Sequence, residues 1–167
     1  PWQDQNLSIA TARQFRYPDS EEPYSPTWLA PGSEDLHYVR VSRDRHRTDV
    51  MLADAGTGEA TPLFGDRMNT YMETRSLERL PNGDLIWWSE RDGWAHLYRY
   101  SADGALRNRL TQGPFSVRSV EAVSDDGWVY FNATGRETDE DPYYNNLYRV
   151  RLDGSQLSLL TPGTFDH

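Results

Sequence analysis

The sequence predicts an all-β fold, and three observations support this prediction. First, the chain has ten Tyr and six Trp among 167 residues, although only 37% of its residues are hydrophobic. Such large aromatic side chains are favoured on the pleated surface of a sheet. Second, Asn-Gly and Asp-Gly pairs separate short apolar runs, as they do in β-hairpins. Third, from Gly83 to the end of the sequence, no stretch without Gly or Pro is longer than about a dozen residues, which argues against long helices there.

Three short elements recur in the same order along the chain. The first is an aromatic run, which starts at Asp35, Asp84 and Gly127. The second is a strand that ends in a turn and starts at Val50, Leu97 and Leu147. The third is a closing segment that starts at Leu63, Leu110 and Leu160. The second and third elements share the same offsets of 47 and 50 residues. One more strand before each aromatic run gives four strands per unit. Four antiparallel strands repeated about every 40 to 50 residues predict a β-propeller fragment of about three blades.

The period also predicts where the blades lie. We expect them at about 26–65, 66–113 and 114–163, as part of a larger propeller domain. Residues 1–25 are expected to form an N-terminal arm or the remnant of a preceding blade.

Neighbouring blades present similar apolar faces to one another, so equivalent positions should be buried alike. Val50, Leu97 and Leu147 are therefore predicted to occupy equivalent core sites. Gly104 and Gly154 follow Asp in two of the turns and are expected to adopt positive φ. Propellers close with about four to eight blades. Three blades should leave two faces exposed, and we expect self-association through them.

Composition excludes several kinds of chemistry. The net charge is −9, which disfavours nucleic-acid binding. All 17 basic residues are Arg, so no lysine can form a Schiff base or serve a P-loop. The absence of Cys removes thiolate nucleophiles and thiolate metal sites, and it suits cytosol and periplasm equally. The sequence contains no run of about 18 apolar residues, so it predicts no membrane-spanning helix. We also expect no metal and no cofactor.

Longer stretches of the sequence carry a family resemblance. The runs "SERDGWAHLYRY" from Ser89 and "DPYYNNLYRV" from Asp141 are more specific than propeller periodicity. From about residue 26 to 167 the chain resembles the N-terminal β-propeller of dipeptidyl peptidase IV-like serine peptidases, in the prolyl oligopeptidase clan. The resemblance implies a non-catalytic propeller that gates and positions peptides. An α/β-hydrolase domain of the same parent protein would then release N-terminal dipeptides.

The resemblance also implies that the catalytic serine lies outside this chain. The family's nucleophile stands in a Gly-x-Ser-x-Gly elbow, and that motif does not occur here. The parent would be a serine-type dipeptidyl peptidase, whereas this chain should be inactive alone. The Arg-rich composition without Lys indicates a bacterial source. For the parent we expect a periplasmic or secreted location. A stand-alone propeller that binds partners without enzymatic activity is the alternative.

Glu73 and Arg75 are the candidate substrate-binding residues. They lie in "NTYMETR", which leads into the innermost strand of the second blade, and innermost strands line a propeller channel. A Glu or Arg there could bind charged or carbonyl groups of a peptide. The alternative is a cross-strand pair that stabilises the blade entrance. Glu21 and Glu22 form the one Glu-Glu pair, but their setting does not match the family's glutamate motif, and we interpret them as a solvated loop pair.

Two further charged segments have simple interpretations. The turn at Glu90–Asp92 is expected to be a solvated hairpin tip. The acidic insertion 136–146 is a candidate docking edge. Its spacing does not match a calcium loop. Tyr143 and Tyr144 are expected to anchor this insertion onto the blade.

Overall fold

The chain folds as β-strands joined by turns, as the sequence predicts. The structure, a computed structural model, describes residues 21–28, 35–73, 75 and 77–161. Twelve strands in these residues form three four-stranded antiparallel sheets, each with its strands in chain order across the sheet. This arrangement confirms the predicted all-β fold and the fragment of about three four-stranded blades. The chain divides into two compact units, 1–73 and 74–167. The blade boundaries proposed from the period stay a prediction.

The first unit contains the first sheet. Its strands are β1 (Glu21–Trp28), β2 (Asp35–Ser42), β3 (Arg47–Asp54) and β4 (Ala60–Arg67). Residues Glu21–Tyr24 pair with β2, so Glu21 and Glu22 lie in strand β1. The expectation that this Glu-Glu pair lies in a loop was therefore wrong. Strand β1 contains Pro23 and Pro26 and has an irregular register beside Pro26. An edge strand tolerates residues that cannot donate to the ladder.

The second unit contains the other two sheets. The second sheet is formed by β5 (Glu78–Arg79), β6 (Leu85–Ser89), β7 (His96–Tyr100) and β8 (Leu106–Arg109). The third sheet is formed by β9 (Ser116–Val123), β10 (Trp128–Thr134), β11 (Asn145–Arg151) and β12 (Ser158–Leu159). In β11, the third strand of the third sheet, alternate residues are buried, as expected for a sheet with different faces, whereas β7 of the second sheet is buried at four of its five residues.

A single apolar core joins the second and third sheets. Ile86, Trp88 and Leu97 of the second sheet pack with Phe131 and Tyr148 of the third. The aromatic rings of Phe131 and Tyr148 stack with centroids 5.6 Å apart. This face-to-face packing of two similar sheets explains why the sequence repeats its apolar residues at corresponding positions.

The predicted equivalence of Val50, Leu97 and Leu147 holds for the backbone. Each lies in the third strand of its sheet, and the carbonyls of Leu97 and Leu147 accept equivalent bonds from Leu110 and Leu160. Val50 and Leu97 are fully buried, but Leu147 is only partly buried, so the prediction of equal burial was wrong. The reason is that Leu97 faces the third sheet, whereas no other sheet of the second unit covers the face on which Leu147 lies.

The Asp-Gly turns adopt the predicted conformation. Gly104 has φ 87° and Gly154 has φ 84°, both in turns from the third to the fourth strand of a sheet. Glycine enters this left-handed region without the steric penalty that a Cβ atom brings. The recurrence of Asp-Gly in the sequence is therefore turn chemistry.

Candidate functional site

The topology of the second unit gathers several connections at one edge. In an antiparallel meander, alternate connections lie at the same end of the strands. One end of the strands in this unit, which we call the approach edge, therefore carries residue 75, the hairpin 90–95, the connection 110–115 and the loop 135–144. The turns that contain Gly104 and Gly154 lie at the opposite edge.

The two predicted site residues fall on either side of the boundary between the units. Glu73 is the last residue of the first unit, and its side chain is exposed. Arg75 belongs to the second unit and is partly buried, with its guanidinium carbon 5.3 Å from the ring centroid of Trp88. This cation–π contact holds Arg75 beside the second sheet. The substrate-binding role of Glu73 and Arg75 stays a prediction.

A small cavity lies beside Arg75. It encloses about 80 Å³, and its lining residues come from the second and third sheets: Arg75, Glu78, Ile86, Trp88, Leu97, Ser119 and Val120. Burial raises the pKa of the Glu78 carboxyl above its ordinary value. The sequence analysis missed Glu78 and Ser119 because each lies in an ordinary strand pattern. Only the packing of the two sheets brings them to the same cavity.

The hairpin tip at the approach edge is exposed at Asp92, as expected for a solvated turn, and it is also tethered to neighbouring strands. Asp92 accepts hydrogen bonds from the Tyr98 hydroxyl and from Arg109, both at 2.5 Å. Arg91 lies over the Tyr98 ring at 4.3 Å and donates to the Tyr100 hydroxyl at 2.7 Å. The hydrogen bond from Tyr98, followed by Arg109, lowers the pKa of Asp92. Burial and the Asp92 carboxylate raise the pKa of Tyr98 to about 12.

His96 fixes the connection 110–115 at the same edge. Its side chain is buried, with Nε2 3.0 Å from the carbonyl of Gly113 and Nδ1 3.1 Å from the Thr111 hydroxyl. Because a carbonyl can only accept, Nε2 carries the proton and Nδ1 accepts from Thr111. The ring of Phe115 meets the imidazole edge-on at 5.1 Å. Burial lowers the pKa of His96 and favours this neutral form.

The acidic insertion is anchored mainly by residues of β11. Tyr143 is 83% exposed, so the expectation that it packs onto the blade was wrong, whereas Tyr144 is partly buried and its anchoring role stays a prediction. The hydroxyl of Tyr148 instead donates to Glu137 at 3.1 Å, and the amide of Asn146 donates to Glu140 at 2.7 Å. Both donors lie on the buried face of β11, and burial, then Glu137, raises the pKa of Tyr148 to about 12. The insertion is therefore fixed from the sheet side, with Tyr143 projecting outward.

The described part of the chain offers no obvious metal site. Among residues 21–28, 35–73, 75 and 77–161, no three His, Asp or Glu side chains gather in a way that could hold a metal ion. A search of the same residues finds no helix with the length and apolar character needed to cross a membrane.

Comparisons with known proteins agree with this architecture. The sequence matches the Dipeptidyl peptidase IV (DPP IV) N-terminal region family over residues 12–167. The fold is similar to that of Porphyromonas gingivalis dipeptidyl peptidase 4, with a TM-score of 0.69, 19% identity and coverage of 78% of this chain and 18% of that one. A protein assigned as dipeptidyl aminopeptidase IV from Bacteroides ovatus gives a TM-score of 0.69, 20% identity, and coverage of 83% and 22%.

A third solved structure also has a similar fold. A protein assigned as TolB from Agrobacterium tumefaciens gives a TM-score of 0.57 at 17% identity, with coverage of 81% of this chain and 49% of that one. The chain spans about a fifth of the length of the two peptidase structures that it resembles. The structural matches show the fold, whereas the sequence match extends over nearly the whole chain. The chain therefore belongs to the dipeptidyl peptidase IV N-terminal region family.

Proposed function

We propose that this chain is the non-catalytic propeller portion of a dipeptidyl peptidase IV-like serine exopeptidase. In this role it admits peptides and positions them for the removal of N-terminal dipeptides by an α/β-hydrolase domain of the same parent protein. The family match over residues 12–167 is the observation that carries the proposal. Positioning a substrate lowers the entropy lost on reaching the transition state. We further propose that the parent acts in the periplasm or outside the cell, which fractionation of the producing cells tests.

The approach edge supports a role in substrate placement. Its hairpin 90–95 is tethered through Asp92, and its connection 110–115 is held by His96. Loops held by side-chain hydrogen bonds keep a fixed shape, which a surface that orients peptides requires. Arg75 lies at this edge with its guanidinium stacked on Trp88. An arginine in such a place can donate hydrogen bonds to peptide carbonyl or carboxylate oxygens.

Peptidase assays of the whole protein test this proposal. We expect the whole protein to release p-nitroaniline from Gly-Pro-p-nitroanilide, and this chain alone to be inactive. No turnover by the whole protein would favour the alternative, a stand-alone binding propeller. Turnover by the isolated chain would contradict the placement of the nucleophile in another domain.

Substitutions at the two candidate residues separate a binding role from a structural one. Glu73→Gln and Arg75→Gln in the whole protein should each raise KM about tenfold, with little change in the free energy of unfolding. Glu59→Gln and Arg107→Gln are matched controls because both side chains are exposed and lie away from residue 75 in the chain. If Glu73 and Arg75 instead stabilise the blade entrance, their substitution lowers stability and leaves KM unchanged.

Self-association is the second part of the proposal. The face of the third sheet that carries Leu147 is partly exposed within the second unit, and Tyr130 and Arg149 lie on the same face. We propose that two copies of this chain associate through such faces. Sedimentation velocity of the chain should show a concentration-dependent dimer that Leu147→Glu weakens. A monodisperse monomer at all concentrations would contradict self-association.

A further inference from the structure

The cavity beside Arg75 exists because the inner strands of the two packed sheets are irregular. Strand β5 contributes only Glu78 and Arg79 to its ladder. Strand β9 shifts register twice against β10, between Tyr130 and Phe131 and again between Asn132 and Ala133. Bulges bend a strand, and they are frequent beside functional sites, where they re-aim side chains. The short ladder of β5 and the register shifts of β9 thus accompany the gap between the inner strands.

The interior of the cavity is apolar. Ile86 and Leu97 are buried in the common core and also line the cavity, together with the indole of Trp88 and the side chain of Val120. Glu78 and Arg75 are the charged residues among those that line it, whereas the Ser119 side chain lies on the opposite face of the third sheet, where Ser119 pairs with Asn132. An apolar cavity with a small number of polar groups is typical of small-molecule sites.

The polar groups have opposite charges. Glu78 pairs with Ile86 across the ladder, so both side chains lie on the face of the second sheet toward the third. Burial raises the pKa of Glu78, which shows that its carboxylate has lost part of its hydration. Arg75 has its guanidinium carbon 5.3 Å from the centroid of the Trp88 ring. A ligand with a cationic and an anionic group would therefore find a partner for each.

We propose that this cavity binds a small aliphatic amino acid as its zwitterion. The ammonium group of the ligand donates to the Glu78 carboxylate, its carboxylate accepts from the Arg75 guanidinium, and its side chain enters the apolar interior. The proposal goes beyond the peptidase role and does not depend on it. It gives the chain a binding site for a free amino acid, which is a class of ligand distinct from a peptide substrate.

The volume of the cavity limits the size of the ligand side chain that it can hold. The cavity encloses about 80 Å³. A water molecule takes roughly 30 Å³ of liquid, and engineered apolar cavities that hold benzene measure roughly 150 Å³. The cavity therefore has room for the three- or four-carbon side chain of valine or leucine, whereas a phenyl ring is too large. Glycine would leave the apolar interior unfilled and should bind much more weakly.

Direct binding can be measured on the whole protein with 5-fluorotryptophan in place of tryptophan. The ¹⁹F resonance of residue 88 is assigned by its loss in Trp88→Phe. We expect L-leucine to shift this resonance saturably. Glycine, L-phenylalanine, N-acetyl-L-leucine and L-leucinamide should each bind at least tenfold more weakly, because each lacks the fitting side chain or one of the charges. Binding of leucinamide as tightly as leucine would overturn the role of Arg75.

Substitutions in the cavity complete the test. Val120→Phe, which enlarges a side chain that lines the cavity and packs against the core, should abolish the leucine-induced shift, and Glu78→Gln should weaken binding at least tenfold. Asp125→Asn removes an exposed carboxylate of the same unit and serves as the matched control. Circular dichroism identifies any variant that fails to fold. The absence of a saturable shift in the folded wild-type protein, or an unchanged shift in folded Val120→Phe, would overturn the proposal even if the protein proves to be a peptidase.

Discussion

The indole Nε1–H of Trp88 donates a 2.8 Å hydrogen bond to the main-chain carbonyl of Val117. This bond links β6 of the second sheet to β9 of the third. The amide of Val117 donates in turn to the carbonyl of Ala95 at 2.8 Å. Both backbone groups of Val117 are thus bonded to the neighbouring sheet, so the register between the two sheets is defined by hydrogen bonds as well as by apolar packing.

Replacement of Trp88 should destabilise the second unit. Trp88→Phe removes the indole donor and leaves a buried carbonyl without a partner, in addition to a small packing defect. We expect a loss of about 2–4 kcal/mol in the free energy of unfolding, measured by urea denaturation. The matched control is Trp94→Phe, because Trp94 is 46% exposed and should change stability little. Equal midpoint shifts for the two variants would contradict the importance of the Trp88 bond.

The ion pair between Arg99 and Asp84 should be strongly coupled. Arg99 Nε donates to Asp84 at 2.8 Å, and its NH1 donates to the Leu152 carbonyl of the third sheet at 3.2 Å. Only 9% of the Asp84 side chain is exposed, so removing one partner leaves a charge with little access to water. Arg99→Gln and Asp84→Asn should each cost about 2–4 kcal/mol, with a coupling energy above about 1 kcal/mol in a double-mutant cycle.

The control for this cycle is the pair Arg136 and Glu137, whose side chains are 35% and 30% exposed. Solvent weakens such a pair, so its coupling energy should stay below about 0.5 kcal/mol. Comparable coupling in the two cycles would show that burial does not strengthen the Asp84 pair.

Replacing Gly154 with Ala should lower the free energy of unfolding more than replacing Gly93 with Ala. Both glycines have positive φ, 84° for Gly154 and 86° for Gly93. A Cβ atom at Gly154 would lie 2.7 Å from the carbonyl oxygen of Arg109, whereas a Cβ at Gly93 would meet nothing within 4 Å. Gly93→Ala should cost about 1–2 kcal/mol from the left-handed conformation alone. Gly154→Ala should cost at least twice as much in thermal or urea unfolding, because the Arg109 backbone must also move. A smaller loss at Gly154 than at Gly93 would refute this explanation.

His96 should make stability depend on pH. Burial lowers its folded-state pKa below the ordinary 6.5, with Arg109 lowering it further while Asp92 and the Gly113 carbonyl oppose the shift. The unfolded chain therefore binds more protons between the two pKa values, so stability is greatest above about pH 6.5 and falls as the pH falls through this window. Below the lowered pKa the contribution of His96 levels off.

Urea unfolding between pH 8 and pH 5 measures this contribution. His96→Asn introduces the residue that occupies the corresponding position of the third sheet, Asn146. The variant should be less stable at pH 8 and should show a smaller change between pH 8 and pH 5 than the wild type. Thr111→Val, which removes the hydroxyl partner and keeps the imidazole, is the control. Identical pH slopes for the wild type and His96→Asn would exclude His96 as the cause.

Much of the fold could be predicted from local patterns. The second and third strands of each sheet follow apolar and aromatic runs bounded by turn residues, and the repeat of 47 and 50 residues identified equivalent strands. The positive φ of Gly104 and Gly154 follows from the Asp-Gly turns. These features are predictable because the steric properties of one residue and its immediate neighbours decide them. Tethering of the hairpin through Asp92 was missed because its partners, Tyr98 and Arg109, lie on other strands.

By itself, the sequence determined the all-β class, the order of the strands, the chemistry of the turns and the family, because each is written in neighbouring residues or in their period. Only the tertiary structure decided that Leu97 is buried while Leu147 is partly exposed, and that Glu78 and Ser119 line one cavity. Burial depends on which faces meet across the second unit. A strand pattern specifies which side chains share a face, but it does not specify what covers that face.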